Sequence, residues 1–144
     1  MIAMNVVDPT MRAFFEAFEK RSAKGDAASL SKMYTESFMV VGSNGVQVVK
    51  ASDLEQIIPK RKQILKAARC TDAKLVSLSE TRLDDHHSMV RAEWRWQVNC
   101  GDSESPEITL PSTYIVRRSD EGLQIVFYLA HRDITAVLRE RGLL

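Results

Sequence analysis

The sequence predicts an α+β fold in which helices cover the concave face of a curved antiparallel sheet. Three observations indicate it: helical patterns fill the first half of the chain, four long strand-like runs follow, and both tryptophans lie on one side of one run. Helices grouped before antiparallel strands are typical of this fold class. Because long sheets twist and curl, the apolar concave face needs a helical cover. We therefore expect one domain over residues 1–144.

The first two helices are predicted from the residues at their ends. Asp8 and Pro9 provide a cap and a first-turn proline, and Gly25 ends the amphipathic pattern. Asp26 then caps a short second helix that we expect to extend through Tyr34. Apolar positions recur at helical spacing in the first helix: Met11, Phe14, Phe15 and Phe18.

The next segment predicts a short hairpin and a third helix. SFMVVGSNGVQVVKA contains two short strand patterns around a turn with an Asn-Gly pair. Ser52 and Glu55 have capping-box spacing, which indicates the start of a helix. Pro59 interrupts the apolar stripe that follows. Either the helix kinks there, or a short turn precedes a helix that begins at Pro59.

Four strand-like runs and a last helix complete the pattern. Short, polar, turn-like segments separate the runs, so we expect an antiparallel meander. Asp133 then caps a last helix that ends at Gly142. The four runs are AKLVSLSETRL, SMVRAEWRWQVNC, EITLPSTYIVRR and LQIVFYLAHR.

Alternation assigns the tryptophans to the concave face. In the second run Trp94 and Trp96 share the even positions with apolar residues. Charged residues, Arg91, Glu93 and Arg95, take odd positions, so the even side must lie beneath the helices. An inward tryptophan pair fits a filled core. It also fits a small-molecule pocket, which is mostly apolar with a few convergent polar groups.

Other inward side chains would surround these indoles. By the same alternation, side chains from the last two runs point inward: Ser112, Tyr114, Phe127 and His131. A buried indole nitrogen needs a hydrogen-bond partner. Its polar candidates are Tyr34, Ser112, Tyr114 and His131.

Composition limits the partners and the compartment. The chain has 20 Lys and Arg residues against 19 Asp and Glu residues, which leaves no electrostatic footprint for nucleic acid or an anionic membrane. No apolar run approaches the ~20 residues of a membrane-spanning helix. The first residues lack the pattern of a secretory signal. Cys70 and Cys100 make no disulfide framework, which favours a reducing cytoplasm and two small, buried thiols.

Three further positions could carry chemistry. His131 could act as a general base near neutral pH beside a hydroxyl, or it could only cap a strand end or bond a backbone carbonyl. Arg61 lies in line with the apolar stripe of the third helix, from which it could extend to solvent or bind a ligand carboxylate. Residues 84–87, Asp-Asp-His-His, suggest metal ligands, but adjacent side chains diverge, so a polar turn is favoured. We expect no metal and no cofactor.

Three stretches carry a resemblance that covers nearly the whole chain. They are FFEAFEKRSAKGDAASLSKMYTESFMVVGSNG, VVKASDLEQIIPKRKQIL and LQIVFYLAHRD. In this element order the chain resembles the nuclear transport factor 2-like superfamily, which includes ketosteroid isomerases and SnoaL-type polyketide cyclases. The resemblance implies a cone-shaped fold with a pocket at its open end. It also implies a homodimer packed through the outer face of the sheet.

The resemblance does not extend to the catalytic residues of the steroid isomerases. Their helix tyrosine, general base and acid donor correspond by position to Phe18, Gly42 and Ser112. These residues lack the required chemistry, because removal of a proton beside a carbonyl needs a carboxylate base and an acidic donor. The Asp-Arg-Asp set of the superfamily's epoxide hydrolases cannot be assembled from the inward positions either.

The sequence therefore predicts a domain that binds a small, mostly apolar organic molecule on aromatic side chains. These side chains are Trp94, Trp96, Tyr114 and Phe127, and the further candidates for ligand binding are Phe18, Tyr34, Ser112 and Arg61. Any reaction would be acid–base chemistry of the isomerase, cyclase or hydratase type, through His131 with Tyr34 or Tyr114 as helper. The alternative is a non-catalytic ligand-carrying or protein-interaction module whose interior is filled by its own side chains. An open pocket beside Trp94 would distinguish the two.

Overall fold

The computed structural model describes residues 7–99 and 106–144. Cys100 and most of the predicted turn at 101–106 lie outside these residues. Within the described ranges, no helix combines the length and the apolar character needed to cross a membrane.

The first two helices begin where their capping residues predict. Helix α1 spans Pro9–Lys24 and α2 spans Ala27–Ser31. Asp8 Oδ1 accepts a hydrogen bond from the Thr10 N–H at 2.8 Å, and Asp26 Oδ1 accepts one from the Ser29 N–H at 3.1 Å. Gly25, with a φ of 66°, ends α1 in the left-handed conformation that glycine favours.

The expected extension of the second helix through Tyr34 is wrong. Strand β1, Tyr34–Gly42, begins at this residue. Tyr34 pairs with Ile125 of a distant strand, and the Ile125 N–H donates to the Met33 carbonyl at 2.8 Å. Long-range pairing therefore outweighs the local helical pattern at this boundary.

The hairpin and the third helix follow. Strand β2, Gly45–Lys50, pairs with β1, and a 3₁₀ turn, Ala51–Asp53, leads into α3, Leu54–Ala67. Pro59 lies inside α3, so a helix that begins at Pro59 is excluded. Ser52, expected to cap this helix, lies within the 3₁₀ turn. Asp53 Oδ2 accepts a hydrogen bond from the Lys50 N–H at 3.3 Å. The helical segment therefore starts earlier than the Ser52–Glu55 spacing predicts.

Four long strands and a short helix complete the chain. They are β3 Lys74–Arg82, β4 His87–Gln97, β5 Glu107–Ser119, β6 Gly122–Ala130 and α4 Ile134–Glu140. The strands form the predicted antiparallel meander, within a six-stranded sheet of order β2-β1-β6-β5-β4-β3. The hairpin extends this sheet through a parallel pairing of β1 with β6, so the curved sheet is antiparallel except at that pair.

Burial along β4 confirms the face predicted for the tryptophans. Even positions are buried and most odd positions are exposed, so Trp94 and Trp96 point inward, beneath the helices. The even positions of β5 are buried likewise from Ile108 to Val116.

The alternation predicted for β6 is wrong beyond its middle. Val116 pairs with Ile125, whereas Ile115 pairs with Phe127, so Val126 is an extra residue in the ladder. Such a bulge shifts every later side chain to the opposite face. Tyr128 therefore packs against the buried residues between the sheet and the helices. Phe127 does not take the inward position expected for it.

A compact core, called here the filled core, lies between the sheet and the helices. Its residues come from α1, α4 and strands β4 to β6, and each is at most 2% exposed: Met11, Phe15, Val90, Val116, Ile125, Ile134, Val137 and Leu138. A partly buried polar network adjoins it. Glu80 accepts hydrogen bonds from Ser88 Oγ at 2.7 Å, from Arg118 Nη2 at 2.9 Å and from the Asp8 N–H at 3.0 Å.

Candidate functional site

Beside the filled core, the inner face of the sheet borders an open cavity of about 350 Å³. Helices α1, α2 and α3 form one wall, and strands β1, β2, β4, β5 and β6 form the other. Two lining residues, Gln47 on β2 and Ile57 on α3, are exposed, which places the solvent side of the cavity between these elements. The volume lies within the usual range of small-molecule sites, roughly 300–1,000 Å³.

The cavity gathers the aromatic residues that have polar tips. The chain contains three tyrosines and two tryptophans, and all five line the cavity: Tyr34, Tyr114, Tyr128, Trp94 and Trp96. Tyrosine and tryptophan combine a large apolar surface with one hydrogen-bonding group, which suits the wall of a binding site.

Phe18 of α1 organises this aromatic wall. Its ring centroid lies 5.9 Å from that of Trp94, 6.1 Å from that of Tyr114 and 6.2 Å from that of Tyr34. Trp94 Nε1 donates a hydrogen bond to Tyr114 Oη at 3.2 Å. Of the partners expected for a buried indole nitrogen, Tyr114 is therefore the one used by Trp94.

The hydroxyls of Tyr34 and Tyr114 are held neutral. Burial raises the pKa of Tyr34 and that of Tyr114 well above the ordinary value for a phenol, and the neighbouring Tyr128 raises both further. Neither Tyr34 Oη nor Tyr128 Oη forms a hydrogen bond with any residue in the described ranges. No fully buried side-chain oxygen in these ranges lacks a partner, so neither hydroxyl is fully buried. Both hydroxyls are thus free to bond a molecule in the cavity.

Charge enters the cavity from α3. Lys62 Nζ donates to the Ala23 carbonyl and lies 3.4 Å from Asp72 Oδ1, so this lysine is occupied by the protein. Arg61, half-buried in the same wall, forms no ion pair with a carboxylate of residues 7–99 or 106–144. With Asp72 offset by Lys62, Arg61 gives the lining a net positive charge.

Most of the residues predicted for the site do meet here. The cavity is lined by Trp94, Trp96, Tyr114, Ser112, Tyr34, Phe18 and Arg61. His131 is an exception, because it is exposed and its Nε2 lies 2.7 Å from Thr113 Oγ1, whose position in β5 faces outward. The expected inward placement of His131 is therefore wrong for the same reason as that of Phe127, the bulge at Val126.

Among the lining residues that sequence reasoning missed, three bear directly on the chemistry of the cavity. The bulge hid Tyr128, which takes the place assigned to Phe127. Asp72 precedes β3 in a segment without periodicity, and a lysine beside an apolar stripe, such as Lys62, is typical of a solvated helix face. No sequence pattern would have identified the Asp72–Lys62 pair, because the two residues belong to different elements.

The remaining polar candidates lie elsewhere. Asp84 Oδ1 accepts hydrogen bonds from the backbone N–H groups of His86 and His87, each at 2.8 Å, in the loop between β3 and β4. Within the part of the chain that the structure describes, no group of three or more His, Cys, Asp or Glu side chains could hold a metal ion. Cys70 is half-buried, and burial, followed by the nearby Asp72, raises the pKa of its thiol to about 11.

Comparison with known proteins agrees with this architecture. The profile of a family described as NTF2-like protein (DUF6841) matches residues 6–133. No protein of curated function matches the sequence.

Several solved structures share the fold. An NTF2-like protein with a cystatin-like fold from Novosphingobium aromaticivorans has 18% identity and a TM-score of 0.69, over 94% of this chain and 86% of that one. The protein Aln2 from a Streptomyces species has 13% identity and a TM-score of 0.69, over 94% and 99%. A ketosteroid isomerase-like protein from Erwinia carotovora atroseptica has 12% identity and a TM-score of 0.61, over 85% and 92%. Identities this low show a shared fold alone.

Proposed function

The chain belongs to the NTF2-like family DUF6841, and on that premise we propose that it binds a small, mostly apolar organic molecule in the cavity beside Trp94. One observation carries the proposal: every tyrosine and tryptophan of the chain lines this cavity. These residues surround open volume, and two of their hydroxyls form no hydrogen bond with a residue that the structure describes.

A thermal-shift screen with aromatic and carboxylic compounds tests the proposal. Val49 lies on the inner side of edge strand β2 and lines the cavity. Val76, on the opposite edge strand β3, is 48% exposed and lies outside the cavity. We expect compounds that raise the Tm of the wild type to lose their effect on Val49→Phe, because the larger ring occupies the cavity.

The matched variant Val76→Phe should keep the full response, since it adds the same ring to an edge strand away from the cavity. The proposal fails if no compound raises the Tm of the wild type. It also fails if Val49→Phe responds like Val76→Phe.

We further propose that the outer face of the sheet forms a homodimer interface. Four outward apolar side chains on β1, β2 and β4 are exposed by 38% to 72%: Met39, Val46, Val48 and Met89. Monomeric proteins seldom leave large apolar patches in water. Sedimentation should give a dimer for the wild type and a shift toward monomer for Val48→Lys. A monomeric wild type would contradict this interface.

The alternative of a non-catalytic interaction module makes a different prediction for the thermal-shift screen. Such a module would dimerise or bind a partner through the outer sheet face, and its Tm would be insensitive to small molecules. The open volume beside Trp94 favours ligand binding, because the predicted module would fill that space with its own side chains.

A further inference from the structure

We propose that the preferred ligand is an apolar carboxylic acid that carries a second oxygen, as a hydroxyl or carbonyl group. This inference rests on the proposed binding function and names the class of molecule that the cavity selects. It follows from the arrangement, in mostly apolar walls, of three tyrosine hydroxyls and one cation that forms no ion pair with a described residue.

Arg61 is the first part of the argument. A half-buried guanidinium has lost part of its hydration, and without a counter-ion no ion pair offsets that loss of free energy. Its planar set of N–H donors matches the two oxygens of a carboxylate. Because Lys62 is bound to Ala23 and Asp72, Arg61 is the cation in the described lining that is available to a ligand.

The second part is the position of the hydroxyls. The charge of Arg61 lowers the pKa of Tyr34 against the larger effect of burial, whereas the pKa of Tyr114 responds to Tyr128 and Tyr34. The cavity lining brings Arg61 together with the rings of Tyr34, Tyr114 and Tyr128, and the ring centroids of Tyr114 and Tyr128 lie 5.2 Å apart.

These hydroxyls differ in how far the protein already uses them. Tyr114 Oη accepts from Trp94 and keeps its own hydrogen to donate, while the hydroxyl of Tyr128 forms no hydrogen bond with residues 7–99 or 106–144. A ligand whose carboxylate pairs with Arg61 would therefore place its apolar body along Phe18 and Trp94. A second oxygen would then accept the hydrogen of Tyr128, or of Tyr34.

Three naphthalene probes separate the contributions of charge and of the second oxygen. The probes are 6-hydroxy-2-naphthoate, 2-naphthoate and the neutral 6-hydroxy-2-naphthamide, and their affinities are measured by titration calorimetry. We expect the hydroxy acid to bind wild type about 10- to 100-fold more tightly than the amide, as a charge-assisted bidentate pair allows.

Arg61→Met should remove this preference for the acid and leave the affinity of the amide unchanged. Lys66→Met is the matched control, because it removes one positive charge from an exposed position on the same helix. It should change the affinity of the acid by less than about twofold, since exposed charges in water are strongly screened.

Tyr128→Phe tests the second oxygen. It should weaken the hydroxy acid about 3- to 10-fold, as the loss of a neutral hydrogen bond predicts, and leave 2-naphthoate unchanged. A protein in which Tyr128→Phe weakens both acids equally does not recognise the second oxygen, and that part of the inference would then be wrong.

The outcomes also distinguish this inference from the proposed function. If the amide binds as tightly as the acid, or if Arg61→Met weakens both equally, the ligand class is wrong although the cavity still binds small molecules. If none of the three probes binds, the ligand class is also wrong. The thermal-shift screen then decides separately whether the cavity binds any small molecule.

Discussion

The filled core and the cavity lie on the same inner surface of one sheet, yet they use it in opposite ways. In the filled core, aliphatic side chains such as Val116, Ile125 and Leu138 are fully buried and carry no polar atoms. In the cavity, strands from the same sheet present Trp94, Tyr114 and Tyr128, whose polar tips face open volume or each other. Phe15 joins the two regions, with its ring centroid 5.0 Å from that of Tyr114.

The difference shows that the alternation of a strand determines which side chains point inward, but not whether they fill the interior. The helical layer and the chemistry of the side chains decide that. Over the filled core, α1 and α4 contribute apolar residues. Around the cavity, α3 adds Arg61 and Lys62 to its apolar lining residues, and complete burial of their charged groups would be costly.

The largest expected contrast is in the cost of an identical deletion. Ile125→Ala removes a fully buried side chain from the filled core, so it should lower the free energy of unfolding by about 2–5 kcal/mol. Ile58→Ala removes the same atoms next to existing open volume and should cost less than about 2 kcal/mol, because little new cavity surface is created. Urea denaturation of both variants measures the difference, and equal losses would show that the two regions are packed alike.

The polar network beside the filled core should respond to pH. Burial alone would raise the pKa of Glu80, but hydrogen bonds from Ser88, the Asp8 N–H and Arg118 outweigh it and lower the pKa below the ordinary 4.5. Because the folded-state pKa is the lower one, the stabilisation is complete above about pH 4.5 and is lost as the pH falls through the folded-state value.

Glu80→Gln should therefore cost about 1–3 kcal/mol of unfolding free energy at neutral pH, and the deficit should shrink in acid. Glu121→Gln, at an exposed turn, serves as the control and should change little. Denaturation curves at several pH values test this, and a deficit that grows on acidification would contradict the assigned network.

Two tyrosine hydroxyls of the cavity should differ in structural importance. Tyr114→Phe leaves Trp94 Nε1 without its acceptor and should cost about 1 kcal/mol of unfolding free energy. Tyr128→Phe removes a hydroxyl without a hydrogen-bond partner among the described residues, so its cost should be near zero. Thermal unfolding compares the two variants, and a larger loss for Tyr128→Phe would show that its hydroxyl is structural.

The smallest effect is expected outside both regions. His131→Ala removes an exposed hydrogen bond to Thr113 and should change the free energy of unfolding by less than about 0.5 kcal/mol. It should also leave ligand-induced Tm shifts unchanged, because the ring lies on the outer face. Loss of the ligand-induced Tm shift in this variant would show that His131 takes part in binding.

The sequence was sufficient for the fold because capping residues and alternation are local signals. Asp8, Asp26 and Gly25 mark helix ends as predicted, and the alternation of β4 places both indoles correctly. The start of β1 at Tyr34 depended on pairing with Ile125, which lies far away in the sequence. The propensities of neighbouring residues contain no information about such a long-range contact.

The candidate site could be predicted only in part, for one physical reason. A single extra residue, Val126, exchanges the faces of all later positions in β6. Because of this extra residue, Tyr128 lines the cavity instead of Phe127, and His131 lies on the outer side of the sheet. Nothing in LQIVFYLAHR marks the bulge, because apolar residues occupy both faces of this strand.

The position of the tryptophans has a practical consequence. Both indoles of the chain lie in one wall, so its entire tryptophan emission originates within a few residues of the cavity. The protein thus contains its own optical reporter. Occupancy, solvent entry and ring rearrangement in this region would alter the emission directly, without any label.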